Sequence, residues 1–137
     1  MKWLFKEEPT HYPYDEFVAD KRTVWEGVRN PVAQKHLRSV HKGDAIFYYH
    51  TGKERAVVGI AKAVTGAYCD PKDKSGRLHV VDIVPQKKLQ RPVTLKEIKA
   101  SRAFATFVLT RVPRLSVMPV SDKEWKEIER LSRTAAP

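Results

Sequence analysis

Trp25, Gly27, Arg29 and Asn30 fall in one short stretch, TVWEGVRNPVAQKHL, and they are the residues here best suited to chemistry. An indole in an irregular segment can stack on a nucleic-acid base, a contact worth roughly 1–3 kcal/mol. Gly27 allows the backbone either a close approach to a ligand or a positive φ. Asn30 is a good N-cap and Pro31 suits the first helical position, so a helix N-terminus with free N–H groups lies beside the indole. The elbow is therefore a candidate pocket lip, with an ordinary core tryptophan as the competing reading. A second candidate is the end of AIFYYH, where Tyr49 and His50 close a strand. Alternation there puts one tyrosine in the core and leaves its neighbour for a site.

The remaining motifs exclude more than they offer. The chain carries no phosphate loop, dinucleotide glycine fingerprint, nucleophile elbow or zinc-helix motif. The five histidines lack metal spacing, and the single cysteine, Cys69, excludes an internal disulfide framework. No cofactor and no metal are expected. No apolar run approaches the roughly 20 residues of a membrane helix, so a soluble intracellular, cytoplasmic or nucleoid-associated monomer is the expectation.

Charge placement points to a polyanion. Of the net +10, residues 53–114 hold 14 Lys or Arg against 5 Asp or Glu, and the flanking segments are nearly balanced. Lys53, Arg55, Lys87, Lys88 and Arg91 are the candidates for phosphate contacts.

These residues need a scaffold of 137 positions, enough for one domain. KWLFK reads as a strand with Trp3 and Phe5 on one side and Leu4 on the other. EEPTHYPYDEF is a loop leading to a helical turn near Asp15–Ala19. The helix from Pro31 is expected to bury Val32, Ala33, Leu37 and Val40. AIFYYH and AVVGIAKAV are strands joined by TGKER, YCDPKDKSGR is a loop, and LHVVDIV is a further strand. Capping boxes, Thr94 with Glu97 and Ser121 with Glu124, open two helices, the second burying Trp125, Ile128 and Leu131. FATFVLT and RLSVMPV are apolar enough for strands. The domain is expected over residues 1–131, and 132–137 as a frayed tail. Strands without regular helix alternation argue for a small, mostly antiparallel barrel with helices at its edges.

KWLFKEEP, VWEGVRNPVAQKHLR, GDAIFYYHTG, VVGIAKAV and RLSVMPVSDKEW, in this order, resemble the EVE domain family. The resemblance implies an α+β, PUA-like pseudo-barrel and a pocket for a base, often a modified cytosine, flipped out of DNA or RNA. Carried over, it implies a pocket of Trp25, Gly27, Val28, Arg29, Asn30, Tyr49, His50, Lys6, Glu7, Glu8, Arg114, Leu115 and Ser116. This chain departs at Glu7, where the family often has serine. A pocket-facing Glu7 would accept hydrogen bonds and favour an amino-bearing base edge, and a solvent-facing one would change nothing. The reading that follows is a non-catalytic binder of nucleic acid carrying a methylated-cytosine-like base. The alternatives are a hydrolase of modified nucleosides, using Lys6 with Glu7 or Glu8, or Tyr49 with His50, as acid and base, and an interaction scaffold with a vestigial pocket.

Overall fold

The computed structural model describes residues 1–134. One curled half-barrel sheet runs β2 (Thr23–Trp25), β6 (His79–Thr94), β4 (Ala56–Ala63), β3 (Ala45–His50), β1 (Lys2–Glu7) and β7 (Val117–Pro119), with β5 (Tyr68–Cys69) also paired to β6. All pairings are antiparallel except β1 with β3. The helices α1 (Tyr14–Asp20), α2 (Pro31–Arg38), α3 (Leu95–Ala100), α4 (Val108–Arg111) and α5 (Asp122–Ser132) are short and surround it. This is the α+β pseudo-barrel expected. Among the described residues, no helix is long and apolar enough to cross a membrane.

β1 is covered on both faces, so Trp3, Leu4 and Phe5 are all buried rather than alternating in and out. Trp3 donates its indole N–H to the buried Asp44, and Trp125 stacks on Phe47 with ring centroids 3.6 Å apart. Both capping boxes form as the spacing predicts.

Four local expectations are corrected. FATFVLT is not a strand. Ser101 caps a 3-10 turn at Arg102–Phe104, and Phe104, Phe107 and Leu109 then enter the core from helical turns. An apolar run this short does not distinguish a strand from a buried helical turn. Val32 is exposed, because α2 turns Ala33, Gln34 and Leu37 inward. LHVVDIV is the start of a strand that continues to Thr94, and Tyr68–Cys69 inside the expected loop pairs with it. Finally, Ser132 still belongs to α5, and Thr134 O accepts from Arg91 Nε at 2.7 Å, so this part of the expected frayed tail is held. Residues 135–137 lie outside the described residues.

Arg91 also grips Glu97 with two bonds, Nη1 to Oε2 at 2.9 Å and Nη2 to Oε1 at 2.7 Å. These bonds hold the Glu97 carboxyl below its usual range, against burial that pushes it up. A lowered folded-state pKa stabilises the fold above the unfolded value of about 4.3 and loses that contribution as pH falls. Arg91→Ala is expected to cost about 1.5–3 kcal/mol at pH 7 and proportionally less in acid. Urea melts of parent and variant at pH 7 and pH 3 check this. An equal gap at both pH values would remove the ion pair as its source.

Candidate nucleic-acid interface

The strand ends decide how the candidate residues group. β1 and β3 lie parallel with Lys6 opposite Tyr49 and Glu7 opposite His50. Successive side chains on a strand leave opposite faces. Lys6 and Tyr49 therefore share one side of the sheet, while Glu7 and His50 share the other.

On the Glu7 side, Trp25 is 6% exposed and packs against Phe5 and Tyr48, each with ring centroids 5.4 Å away. It is a core residue that also lines a cleft. That cleft, of about 160 Å³, is bounded by Glu7, His11, Tyr12, Thr23, Trp25 and Glu26. For scale, a void of roughly 150 Å³ admits benzene, so the space suits a single six-membered ring. Glu7 Oε1 accepts from the Glu8 N–H at 2.9 Å and lies 3.2 Å from His11 Nδ1, while Oε2 has no protein partner among the described residues. A hydrogen-bond acceptor is thus left over beside an indole.

The cleft is walled by the loop before α1, which carries His11 and Tyr12, and by β2. Tyr48 donates its hydroxyl to the Tyr12 carbonyl, and Tyr14 donates its hydroxyl to Ile60 O at 2.7 Å. His50 accepts from the Tyr14 N–H through Nε2 at 3.0 Å and faces Glu54 through Nδ1 at 2.6 Å. With Nε2 accepting, Nδ1 carries the proton and donates to Glu54. Both ring nitrogens are occupied within the fold, so His50 positions the start of α1 rather than meeting a ligand.

The elbow divides its labour. Gly27 has φ +79°, and a Cβ there would meet nothing within 4 Å, so the turn rather than a close approach requires glycine. Val28 is buried, with its carbonyl accepting from the buried Gln34 at 2.7 Å. Gln34 also bonds the His79 backbone through both ends of its amide, tying the elbow to β6. Gly27 and Arg29 line a separate cleft against Asp70, Lys72, Asp73 and Leu78, and Glu26 borders both clefts.

Asn30 caps α2, its Oδ1 accepting from the N–H groups of Val32 at 2.9 Å and Ala33 at 3.0 Å. It lines neither cleft, and its amide nitrogen has no protein partner among the described residues. Asn30→Ala is expected to cost about 1 kcal/mol and Asn30→Asp to melt close to the parent, since the carboxylate keeps the cap. Thermal melts of the two variants decide it. Equal destabilisation by both would mean the amide, not the oxygen, matters.

On the Lys6 side, Tyr49 is 3% exposed and Lys6 Nζ lies 5.6 Å from its ring centroid while donating to Pro113 O at 2.8 Å. Burial lowers the Lys6 pKa and pushes Tyr49 up to about 12. Glu8 accepts from the Thr51 hydroxyl at 2.7 Å. Ser116 meets Lys6 only through the backbone, its carbonyl accepting from the Lys6 N–H at 2.9 Å. Leu115 is buried and Arg114 exposed, and neither lines the clefts described.

The candidates thus do not form one pocket. Trp25 and Tyr49 do not face each other, and two of the acid–base pairs considered, Lys6 with Glu7 and Tyr49 with His50, are split across the sheet, while in the third, Lys6 with Glu8, the Glu8 carboxylate is bound to the Thr51 hydroxyl. Among the phosphate candidates, Lys88 pairs with Asp15 at 2.9 Å and Arg91 with Glu97, whereas Lys53, Arg55 and Lys87 are exposed. Tyr12, His11 and Gln34 were missed. Only the i, i+4 spacing of Glu7 and His11 hinted at one of them.

Comparison with known proteins agrees with the fold. A profile of the family described as EVE domain matches residues 1–131. Thymocyte nuclear protein 1 of Gallus gallus is 31% identical, with 90% of this chain and 65% of that protein covered. The chain thus spans just under two thirds of that relative's length. A solved protein of Rhodopseudomonas palustris is 41% identical with TM-score 0.91, covering 96% of this chain and 92% of the other. The human THYN1 protein in complex with 5-methylcytosine-containing DNA is 26% identical with TM-score 0.90, covering 98% of this chain and 99% of the other. Profile, relatives and fold agree, and the chain belongs to the EVE domain family.

Proposed function

We propose that the chain is a non-catalytic nucleic-acid-binding domain that holds a flipped, cytosine-like modified base in the cleft between Glu7, Tyr12 and Trp25. One observation carries this: a ring-sized space lined by an indole and an uncommitted carboxylate oxygen. The exocyclic amino group of cytosine is the donor such an oxygen accepts from. The relative solved with 5-methylcytosine-containing DNA supports the same ligand class. Unstacking a base costs a few kcal/mol, which contacts to the strand must offset. One methyl group is worth about 1–3 kcal/mol, so preference for the modified base is expected to be roughly 10- to 200-fold.

The test is a fluorescence titration of oligonucleotides differing only in one 5-methylcytosine. Glu7→Gln, which keeps shape but converts one acceptor oxygen to a donor, is expected to weaken binding of the modified strand about tenfold, near 1.4 kcal/mol. Equal affinity of parent and Glu7→Gln would exclude this carboxylate from the site. Equal affinity of the parent for both strands would exclude recognition of the methyl group.

A further inference from the structure

The opposite side of the β1–β3 pair holds a second cavity, of about 250 Å³, lined by Lys6, Tyr49, Thr51, Arg55, Lys99 and Pro113 among others. Three of its lining side chains are cationic and none is a carboxylate. Lys6 is half-buried, and its contacts are a carbonyl oxygen and an aromatic face, with no anion within ion-pair distance among the described residues. Arg55 spends Nε on Gly52 O at 3.1 Å and leaves both terminal nitrogens without a partner among the described residues, as Lys99 leaves its ammonium. The Tyr49 hydroxyl, still protonated at neutral pH, is a further donor without a partner among the described residues. Glu8 stands nearby but outside the lining, bound to Thr51.

The cavity continues into a groove that adds Lys53 and Lys96. The one carboxylate in that groove, Glu54, is engaged by His50. A half-buried cation without a counter-ion is costly, and the largely enclosed Arg91 is paired with Glu97, whereas Lys6 has no such pair among the described residues and the exposed Arg55 and Lys99 add further positive charge beside it. A ligand that brings the negative charge itself resolves the imbalance.

We propose that the Lys6–Tyr49–Arg55–Lys99 cavity is an anion site that takes a backbone phosphate of the strand whose base enters the Trp25 cleft. This rests on the function proposed above. Lys6 and Glu7 are adjacent residues on opposite faces, so the end of β1 separates a charge-reading side from a base-reading side. Phosphate contacts position a strand without reading its sequence. The site therefore contributes affinity to modified and unmodified strands alike.

Arg55 sits at φ +44°, a left-handed conformation that glycine adopts freely. Arg55→Gly thus removes the guanidinium without threatening the fold, and Lys99→Gln alters an exposed position. The experiment measures affinity of parent and of the Arg55→Gly/Lys99→Gln double variant for methylated and unmethylated oligonucleotides across a salt series. A second arm follows amide chemical shifts on adding inorganic phosphate. The double variant is expected to lose affinity for both strands by the same factor, about tenfold or more at low salt. Its log–log salt slope should fall by about 0.7 for a single strand or 0.9 for a duplex, the share of one phosphate contact. The preference ratio between the strands should stay at the parent value. A parent-like slope overturns the site, whatever the ratio does. Phosphate shifts around Gly52 that vanish in the variant while its slope is unchanged make this a site for free phosphate, which also overturns the proposal. A parent with no preference for the methylated strand but a slope that falls in the variant sinks the base-reading cleft and leaves the anion site standing.

Discussion

Trp25→Ala is expected to destabilise the domain by about 3–5 kcal/mol, the usual range for removing a buried tryptophan. The ring is almost fully enclosed and touches Phe5 of β1 and Tyr48 of β3, so its loss opens a void beneath the sheet. With typical total stability of 5–15 kcal/mol, much of the folded population at physiological temperature is at stake. A binding loss in that variant therefore says little about stacking. Trp25→Phe separates the roles, because it keeps an aromatic ring against Phe5 and Tyr48 while shrinking the surface offered to a base. Phe is expected to fold cooperatively and to bind the modified oligonucleotide less tightly, near the lower end of the roughly 1–3 kcal/mol of a stacked base. Guanidinium melts and titrations on both variants check this. An alanine variant within about 1 kcal/mol of the parent would show that the indole is not packed as described.

Local signals survived from sequence to structure, and non-local ones did not. The Asn30 cap and the two capping boxes depend on residues two or three apart, so each could be read directly. Trp25 was legible as unusual but not as core, because its partners Phe5 and Tyr48 are distant in the chain. Treating EEPTHYPYDEF as loop, on account of its two prolines, hid that β1 runs through Glu7. Once Glu7 is strand, alternation alone sends Lys6 and Glu7 to opposite faces. Net charge showed that the middle of the chain is basic, but not that Asp15 and Glu97 engage two of its cations. Phe104 and Phe107 were misread because so short an apolar run suits either period.

Gly59→Ala is expected to be the other severe substitution. Gly59 lies in β4 directly under the Tyr14 ring, and a methyl there would overlap Cε1 and Cζ and sit 2.7 Å from Cε2. Tyr14 cannot swing aside cheaply. Its hydroxyl is bonded to Ile60 O, its N–H to His50, and its ring packs edge-on to Phe17 and Tyr48. Overpacking of this kind costs typically 1–3 kcal/mol. It should also lift α1 and the loop carrying His11 and Tyr12, the outer wall of the base cleft, so binding should fall along with stability. The mechanism is checked by a double-mutant cycle with Tyr14→Ala, using urea melts. With the ring gone, Gly59→Ala should cost nothing or stabilise slightly, as alanine does over glycine in a strand. Additive losses would place the strain somewhere other than this contact.

The parallel pairing of β1 has a consequence for how the chain is made. β1 leaves the ribosome before the other strands of this domain, yet its neighbours are β3 on one side and β7, residues 117–119, on the other. At about 5–20 residues per second, several seconds separate the emergence of His50 from that of Val117. Through that interval one edge of an apolar strand holding Trp3, Leu4 and Phe5 has no native neighbour. Such an edge is a template for pairing with other chains. Products of translation that stop before Val117 are left permanently in that condition, and the burden of keeping nascent chains apart falls on the charged surface and on chaperones until β7 arrives.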